Sequence, residues 1–484
     1  MIKLKDLLGN LSTESVKGST DIAVRNIDFD YRKIQQDDVF VATRGKATNG
    51  HDSIEKAIAQ GATTIVCETY PDVTAAGVTY IQVKQTNKAL GILATNFYDN
   101  PSRSLKLTAV TGTNGKTTVA SLLYQLFKKA GHKTGLISSV KIMVDDVEYA
   151  ANHTTPDALT INKNLRRMVD AGVELCFMEA SSHGIHHRRI EGLQFAGGIF
   201  TNLTHDHLHY HGSFAAYRDV KKSFFDNLPP EAFALTNLDD KNGLVMLQDT
   251  EARKLTYALE SEGANYSGHV LENKLAGLLL KINGAEARVR LVGTFNAYNI
   301  LAIYGAAVNL GLKESEILRI LPDLDCVPGR FQFIVSDKKI TAVVDAADTP
   351  DALKNVLSTI NKIRTKDEQL ITIFGCTGTS DKTKRPVMAD IASILSDKVI
   401  LTAHNPRNQA VEEIISDMEK GVKEENRNKI IAIVDRKEAI RKACQLARPK
   451  DFIMIAGKGD ENHQEIKGVR YEFNDLAIVS ELLA

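Results

Sequence analysis

The sequence predicts an α/β protein of three domains. These are a small N-terminal α/β domain over residues 1–101, a central parallel-sheet domain of the P-loop ATPase type over 102–327, and a C-terminal Rossmann-like domain over 328–484. Three observations carry this. A Gly-bearing turn, Val110-Thr-Gly-Thr-Asn-Gly-Lys-Thr-Thr118, joins an apolar run at 107–110 to an amphipathic helical stretch. Beyond residue 328, apolar runs at 340–345, 369–375, 398–403, 429–434 and 451–457 alternate with helical stretches, the signature of a parallel doubly wound sheet. The first hundred residues hold strand-like Asp38–Ala42 and Thr63–Cys67 with a helical stretch near 53–60.

The turn at 112–118 is the strongest chemical signal. Val119, Leu122, Leu123, Leu126 and Phe127 recur at helical spacing, so a helix begins at the turn. Gly112 and Gly115 let the backbone curl, and the helix N-terminus adds partial positive charge. Lys116 supplies a mobile cation, and Thr117 a hydroxyl suited to Mg²⁺. An ordinary Gly-rich turn would leave Lys116, Thr117 and Thr118 unexplained. Gly112, Thr113, Asn114, Gly115, Lys116, Thr117 and Thr118 are therefore the candidate triphosphate cradle.

In the first section, Arg44-Gly-Lys-Ala-Thr-Asn-Gly-His51 is rich in donors, and reads equally as a ligand grip or as a surface turn. In the second, Leu175–Ala180 and Gly197–Leu203 read as strands. They end at Glu179-Ala-Ser-Ser-His183 and Thr204-His-Asp-His-Leu-His-Tyr-His211, where α/β proteins bind ligands. Four histidines in seven residues beside Asp206 suggest at least one metal or phosphate contact. The helical stretch 215–227 carries Lys221 and Lys222, by pattern alone a solvated face. A long apolar helix is expected over Ile300–Leu310. In the third section, four strand ends bear polar clusters: Asp345–Pro350, Gly375–Asp381, Thr402–Arg407 and Gly457–Glu461.

Composition narrows the class. Hydrophobic residues make up 43% and charged residues 25% of 484, and net charge is zero, which gives no nucleic-acid footprint. Five scattered cysteines form no C-x-x-C pair, so neither a disulfide framework nor a zinc site is indicated. No apolar run reaches membrane-spanning length, and the N-terminus does not read as a signal peptide. A cytoplasmic monomer working on small molecules is the expectation.

Taken together, the motifs resemble the Mur ligase family. They are Thr111–Thr117, His153–Asp157, Met178–Gly184, Asp206-His207, Asn237–Asp240, Phe295-Asn296, Gly329-Arg330, Thr349–Asp351, Lys384–Pro386 and Asn405–Arg407. The resemblance covers all three sections. It implies a UDP-sugar-binding N-terminal domain, a central ATP-binding domain and a C-terminal amino-acid-binding domain. It also implies ATP-driven amide formation through an acyl phosphate, in which a diamino acid of the meso-diaminopimelate type is added to UDP-N-acetylmuramoyl-dipeptide for peptidoglycan. ATP and Mg²⁺ are the implied cofactors. Lys116, His207 and Lys221, carbamylated in the family, would be catalytic, and Thr117, Glu179, His207 and Lys221 would organise the metal. Asn296 and Arg330 would meet ATP. Thr154, Thr155, Ser182, Arg189, Asn405, Arg407, Gly457 and Glu461 would meet the other substrates.

Fourteen positions depart from the family's pattern. Tyr31 replaces a serine and Asn49 an aspartate. His187 replaces a glutamine, His209 an aspartate and Val220 an alanine. Gln332 replaces a glutamate, and Ala346 and Asp348 stand for Tyr and His in Tyr-Ala-His-Thr-Pro. Thr377, Thr379 and Ser380 alter Gly-Gly-Asp-Arg-Asp, with Ser380 in place of the arginine. His404 replaces an aspartate, Gln409 a glutamate and Asp460 a histidine. Losing one buried charged contact to a ligand costs about 2–5 kcal/mol. Two or three such losses would slow turnover roughly a thousandfold or more. Asp348 would also place negative charge where ATP phosphate is expected. The expectation is a ligase-type scaffold that still binds Mg-ATP but has weakened or lost activity. The alternatives are an active ligase, with or without a shifted acceptor, and a non-catalytic nucleotide-binding protein.

Overall fold

The computed structural model describes residues 1–484 except Lys46, Ala47 and Ser380, so the expectation placed on Ser380 lies outside the described residues. Among the described residues, three main sheets follow one another along the chain. The first has the order Ser15–Lys17, Thr79–Gln82, Ala62–Cys67, Asp38–Val41, Ile27–Asp28, with only the first pair antiparallel.

The central sheet is built around Lys106–Thr111, which lies between Leu175–Glu179 and Gly197–Phe200, parallel to both. Alternation along these strands sends side chains to two cores. Val110, Phe177, Ile199 and Leu235 pack under the helices Lys116–Lys129 and Thr294–Leu310. Leu107, Ala109, Cys176, Met178 and Ala234 pack under Ala158–Asp170 and Phe214–Asp226. Both flanks carry antiparallel hairpins, Lys141–Val144 with Val147–Ala150, and Gly277–Ile282 with Ala285–Val289. The sequence reading missed these hairpins because their outer strands, Val147–Ala150 and Ala285–Val289, are largely or half exposed and carry charge. The long apolar helix starts at Thr294 rather than 300, directly after Gly293, whose φ is +98°.

The third sheet has the order Gln332–Val335, Thr341–Asp345, Phe452–Ala456, Leu370–Cys376, Lys398–Ala403, Ile430–Ala432, parallel after the first pair. Pro350–Ile363, Lys384–Leu395 and Val411–Glu419 cover one face, and Arg436–Leu446 and Asp475–Leu483 the other. Because these strands run the same way, their carboxyl ends bring Asp345, His404 and Gly457 to one edge. Beneath that edge, fully buried Arg436 pairs with Asp475 at 2.7 Å and donates to the carbonyls of Ala403 and Ala456. No helix among the described residues is long and apolar enough to cross a membrane.

Candidate functional site

The turn after Lys106–Thr111 is shaped by contacts that leave no room for side chains. A Cβ on Gly112 would sit 1.9 Å from Thr201 Oγ1. The first amides of the helix beginning at Lys116 have no intrahelical acceptor, as in any helix, and no side chain caps them, so they are left for an anion beside the loop. Not every loop residue points there. The amides of Thr113 and Asn114 donate to the Asn202 carbonyl and to Asn202 Oδ1, and the Thr113 hydroxyl meets Tyr217 at 3.0 Å. Asn114 reaches across to the third domain, donating to Asp351 at 3.0 Å. These two residues hold shape. Lys116 Nζ folds back onto the carbonyls of Gly112 (3.0 Å) and Thr113 (2.7 Å). Burial lowers its pKa from the ordinary lysine value.

Oxygen donors converge beside it. Thr117 donates to Glu179 Oε2 at 2.9 Å, and Ser139 donates to Oε1 through its amide (2.7 Å) and hydroxyl (3.0 Å). Arg330, from the third domain, donates to Thr117 Oγ1 at 3.1 Å. A hydroxyl and a buried carboxylate beside a phosphate-sized space suit Mg²⁺, which takes one or two carboxylates together with phosphate oxygens. His207 lies at the same rim, in a left-handed backbone (φ +54°), 3.1 Å from Asp206. Burial pushes its pKa down to about 3, so it offers a neutral imidazole. Lys221 is fully buried and donates to the Gly112 carbonyl at 2.8 Å, the acceptor that Lys116 also uses. Burial and the neighbouring Lys116 charge hold its pKa well below the usual range. A neutral amine in that position can add CO₂, whereas a solvated lysine cannot do so readily. Val220 packs beside it against the core.

The four histidines part company. His207 stays at the rim and His211 turns to Ser182 at 3.0 Å, which occupies the hydroxyl expected to meet substrate. His205 and His209 face Asp381 of the third domain at 3.6 and 3.9 Å. Among the described residues, no group of three or more His, Cys, Asp or Glu side chains forms a metal cage. A metal at Glu179 would therefore need the threonine hydroxyl and phosphate oxygens as further ligands.

The third domain closes the cleft, which has a volume of about 690 Å³. Thr154, Glu179, His207, Asn299, Arg330, Ala346, Asp348, His404, Gly457, Asp460 and Glu461 line it together with the loop. Several of the side chains expected to depart from the family pattern are paired here. Asp348 lies 3.7 Å from the buried Lys384 ammonium, which lies equally far from Asp206. The expected uncompensated negative charge therefore has a counter-cation, and the two carboxylates raise the lysine pKa against the effect of burial. Gln332 accepts from the Gly329 amide at 3.0 Å, and Gln409 from buried Arg385 at 2.8 Å. His404 and Asn405 both bond Glu461 at 2.9 Å, and Lys458 does so at 3.0 Å. Burial would raise the Glu461 pKa, but His404 and Lys458 hold it well below the ordinary carboxylate range. Arg407 has φ +54° and bonds Thr379, with Glu465 at 3.6 Å. The Thr377 carbonyl accepts from Arg385 at 2.9 Å.

Two expected contacts are redirected. Asn296 does not line the cleft. Because the helix starts at Thr294, its amide turns back to the Val292 carbonyl at 2.8 Å, and Asn299, one turn on, faces the cavity. Thr155 is buried and spends its hydroxyl on the Glu179 carbonyl and on Ser181. Thr154 is the threonine on the wall. Sequence reasoning passed over Ser139, Tyr298 and Asn299, and gave no role to Asp351 or Lys458 although both lie in stretches it singled out. Asn299 lies three residues after Asn296, one helical turn on, which is the local signal for it.

A second cleft of about 490 Å³ lies between the first two domains. Tyr31, Arg44, Thr48, Asn49, Asn87, His187 and Arg189 are among the residues that line it. Asn49 caps a short helical turn by accepting from the His51 amide, His187 bonds Tyr210 at 2.8 Å, and Arg189 donates to the Thr155 carbonyl at 2.7 Å.

Comparison with known proteins gives a consistent result. Residues 23–98 match the Mur ligase family catalytic domain, 110–307 the Mur ligase middle domain, and 329–459 the Mur ligase glutamate ligase domain. The chain is 50% identical over 483 residues to a protein of Cytophaga hutchinsonii named UDP-N-acetylmuramoyl-L-alanyl-D-glutamate–2,6-diaminopimelate ligase, covering 100% of this chain and 99% of that one. A protein of Phocaeicola vulgatus with the same name is also 50% identical, with both chains covered 100%. A solved structure of a ligase of that name is similar at a TM-score of 0.69 and 30% identity, covering 100% of this chain and 98% of the other. The Thermotoga maritima MurF ligase in complex with ADP, 18% identical with a TM-score of 0.63 and 95% and 97% coverage, shares the fold.

Proposed function

The chain belongs to the Mur ligase family, and on that premise we propose that it is an active ATP-dependent ligase adding a 2,6-diamino diacid to UDP-N-acetylmuramoyl-dipeptide. The weakening expected from the altered positions supposes that no new partner replaces the old one. What favours activity is the pairing around those positions: Asp348 with Lys384, His404 with Glu461, Gln332 with the Gly329 amide, and Gln409 with Arg385. A decaying site would leave such groups unmatched at a cost of about 1–3 kcal/mol each.

In this reading ATP occupies the larger cleft. Its phosphates lie over the helix N-terminus and Lys116, and its nucleoside lies towards Asn299 and Tyr298. The UDP-sugar lies in the second cleft, against Tyr31, Asn49, His187 and Arg189. The dipeptide carboxylate attacks the γ-phosphate, and Lys116 and Arg330 hold the charge that spreads over the transferring phosphoryl oxygens. Mg²⁺, held by Thr117, Glu179 and His207 with carbamylated Lys221 at a second ion, would supply Lewis-acid neutralisation of that charge. The acceptor amine then enters from the edge formed by Asn405, Arg407, Gly457 and Glu461. Arg407 offers a planar fork for a carboxylate, which a diacid has and lysine lacks at its far end.

The observation that carries the proposal is the meeting of Thr117, Glu179, Arg330 and Asp348 across two domains in one cavity. The test is mass spectrometry of the product after incubation with Mg-ATP, the UDP-sugar dipeptide and diaminopimelate, lysine or ornithine. An amide product with diaminopimelate in clear excess supports the reading. No product with any acceptor overturns it.

A further inference from the structure

Glu179 is a carboxylate with most of its acceptor capacity already taken. It ends the strand Leu175–Glu179, is 1% exposed, and lines the larger cleft. The neighbouring parallel strand, Thr134–Ile137, sets Ile137 opposite Met178, so its chain leaves the ladder one residue short of Glu179. A tight turn follows: the Ser138 amide donates to the Lys141 carbonyl at 3.1 Å, and the Lys141 amide donates to the Ser138 hydroxyl at 3.2 Å. The turn frees the Ser139 amide from the ladder. Both Ser139 donors then reach Glu179 Oε1, the amide at 2.7 Å and the hydroxyl at 3.0 Å. Thr117 donates to Oε2 at 2.9 Å. An ionised carboxylate has about four lone-pair sites, two on each oxygen. Oε1 has spent both of its sites on Ser139, and Oε2 keeps one beyond Thr117.

We propose that Ser139 is a positioning residue that sets the choice of ion: by holding Oε1 it keeps Glu179 a one-oxygen ligand, and so favours Mg²⁺ over Ca²⁺ beside the nucleotide. This rests on the ligase reading above, in which Mg²⁺ accompanies ATP at Thr117 and Glu179. The chemistry of the two ions gives the sign. Mg²⁺ is small, demands octahedral geometry, and is served by one or two carboxylates together with phosphate oxygens and water. Ca²⁺ takes roughly six to eight oxygens and gains from a carboxylate that offers both of its own. Among the described residues no cage of three or more His, Cys, Asp or Glu side chains completes the larger shell. Ser139 itself acts only through Glu179.

The test is calorimetry with the non-hydrolysable β,γ-methylene analogue of ATP, titrated into the full chain in excess Mg²⁺, in excess Ca²⁺ and in chelator. Wild type should bind the Mg²⁺ complex more tightly than the Ca²⁺ complex. Ser139→Ala opens one site on Oε1, and the ratio of Mg²⁺ to Ca²⁺ affinities should fall about tenfold, the lower end of what removing the partner of a metal ligand costs. Ser139→Thr keeps the hydroxyl and should keep the wild-type ratio. A fall below about threefold in Ser139→Ala, or an equal fall in both variants, overturns the assignment while leaving the ligase reading intact. Loss of all three affinities alike in Ser139→Ala marks a merely structural residue and overturns it too. Wild type that gains no affinity from either ion overturns the assignment and the ligase reading together. Retained binding in chelator shows that the variants have folded.

Discussion

The phosphate loop and the carboxyl edge of the third sheet face each other across one cavity, yet they are built in opposite ways. The loop gathers its chemistry from seven consecutive residues, 112–118, and from the helix that follows. The edge gathers its chemistry from four strand ends that lie up to 116 residues apart along the chain, Asp345 to Glu461. A contiguous motif tolerates little change, because backbone and side chains serve together. A dispersed site can be paired in more than one way, and here Asp348 lies beside Lys384 and His404 bonds Glu461. Departure from a family pattern is therefore weak evidence of decay at the edge and would be strong evidence at the loop.

The largest effect expected on this comparison is at the loop. Lys116→Ala should abolish Mg-ATP binding in calorimetry and cut turnover about 1000-fold, irrespective of acceptor. Unchanged nucleotide binding would break the contrast. Arg436→Met comes next. It strands Asp475 without a partner beneath the edge and should lower unfolding free energy by about 3–5 kcal/mol in urea titration; a change below about 1 kcal/mol would show that the edge does not depend on that pair. Asp348→Asn sharpens the pairing claim. If Lys384 needs this carboxylate, kcat/KM for ATP should fall by up to about tenfold, modestly because Asp348 is half exposed. A tenfold gain would mean that the carboxylate repels phosphate after all.

The smallest effect concerns Asp345, which is buried and accepts from the Phe331 amide at 2.6 Å. Burial raises its pKa from 3.8 to about 6. A carboxyl held above its unfolded value binds its proton more tightly when folded. Its contribution is therefore full below about pH 4 and is lost as pH rises through about 6. Asp345→Asn should remove that slope and, at pH 7, stabilise the protein by about 1–3 kcal/mol if the amide keeps the Phe331 bond. An unchanged slope between pH 4 and 6 would contradict the assignment.

The sequence was legible where physics is local. The strand–turn–helix at 107–127 and the βα alternation after 340 follow from spacing alone. The pairing of Lys384 with Asp348 and Asp206 was not legible, because it joins two domains and no spacing encodes it. The resemblance gives Asn296 a contact with ATP, and only the helix start at Thr294 shows that its side chain turns back to the Val292 carbonyl. The resemblance gives Thr155 and Ser182 to substrate, and nothing local in the sequence says that Glu179, Ser181 and His211 meet their hydroxyls.

The central claim is the proposal that the edge of the third sheet and the loop at 112–118 together serve one ligase reaction. Phosphate release from Mg-ATP and UDP-N-acetylmuramoyl-dipeptide, measured with and without meso-diaminopimelate, tests it most directly. The account predicts release that depends on the diamino acid and is stoichiometric with amide formed. Release that is absent, or indifferent to the diamino acid, would contradict it.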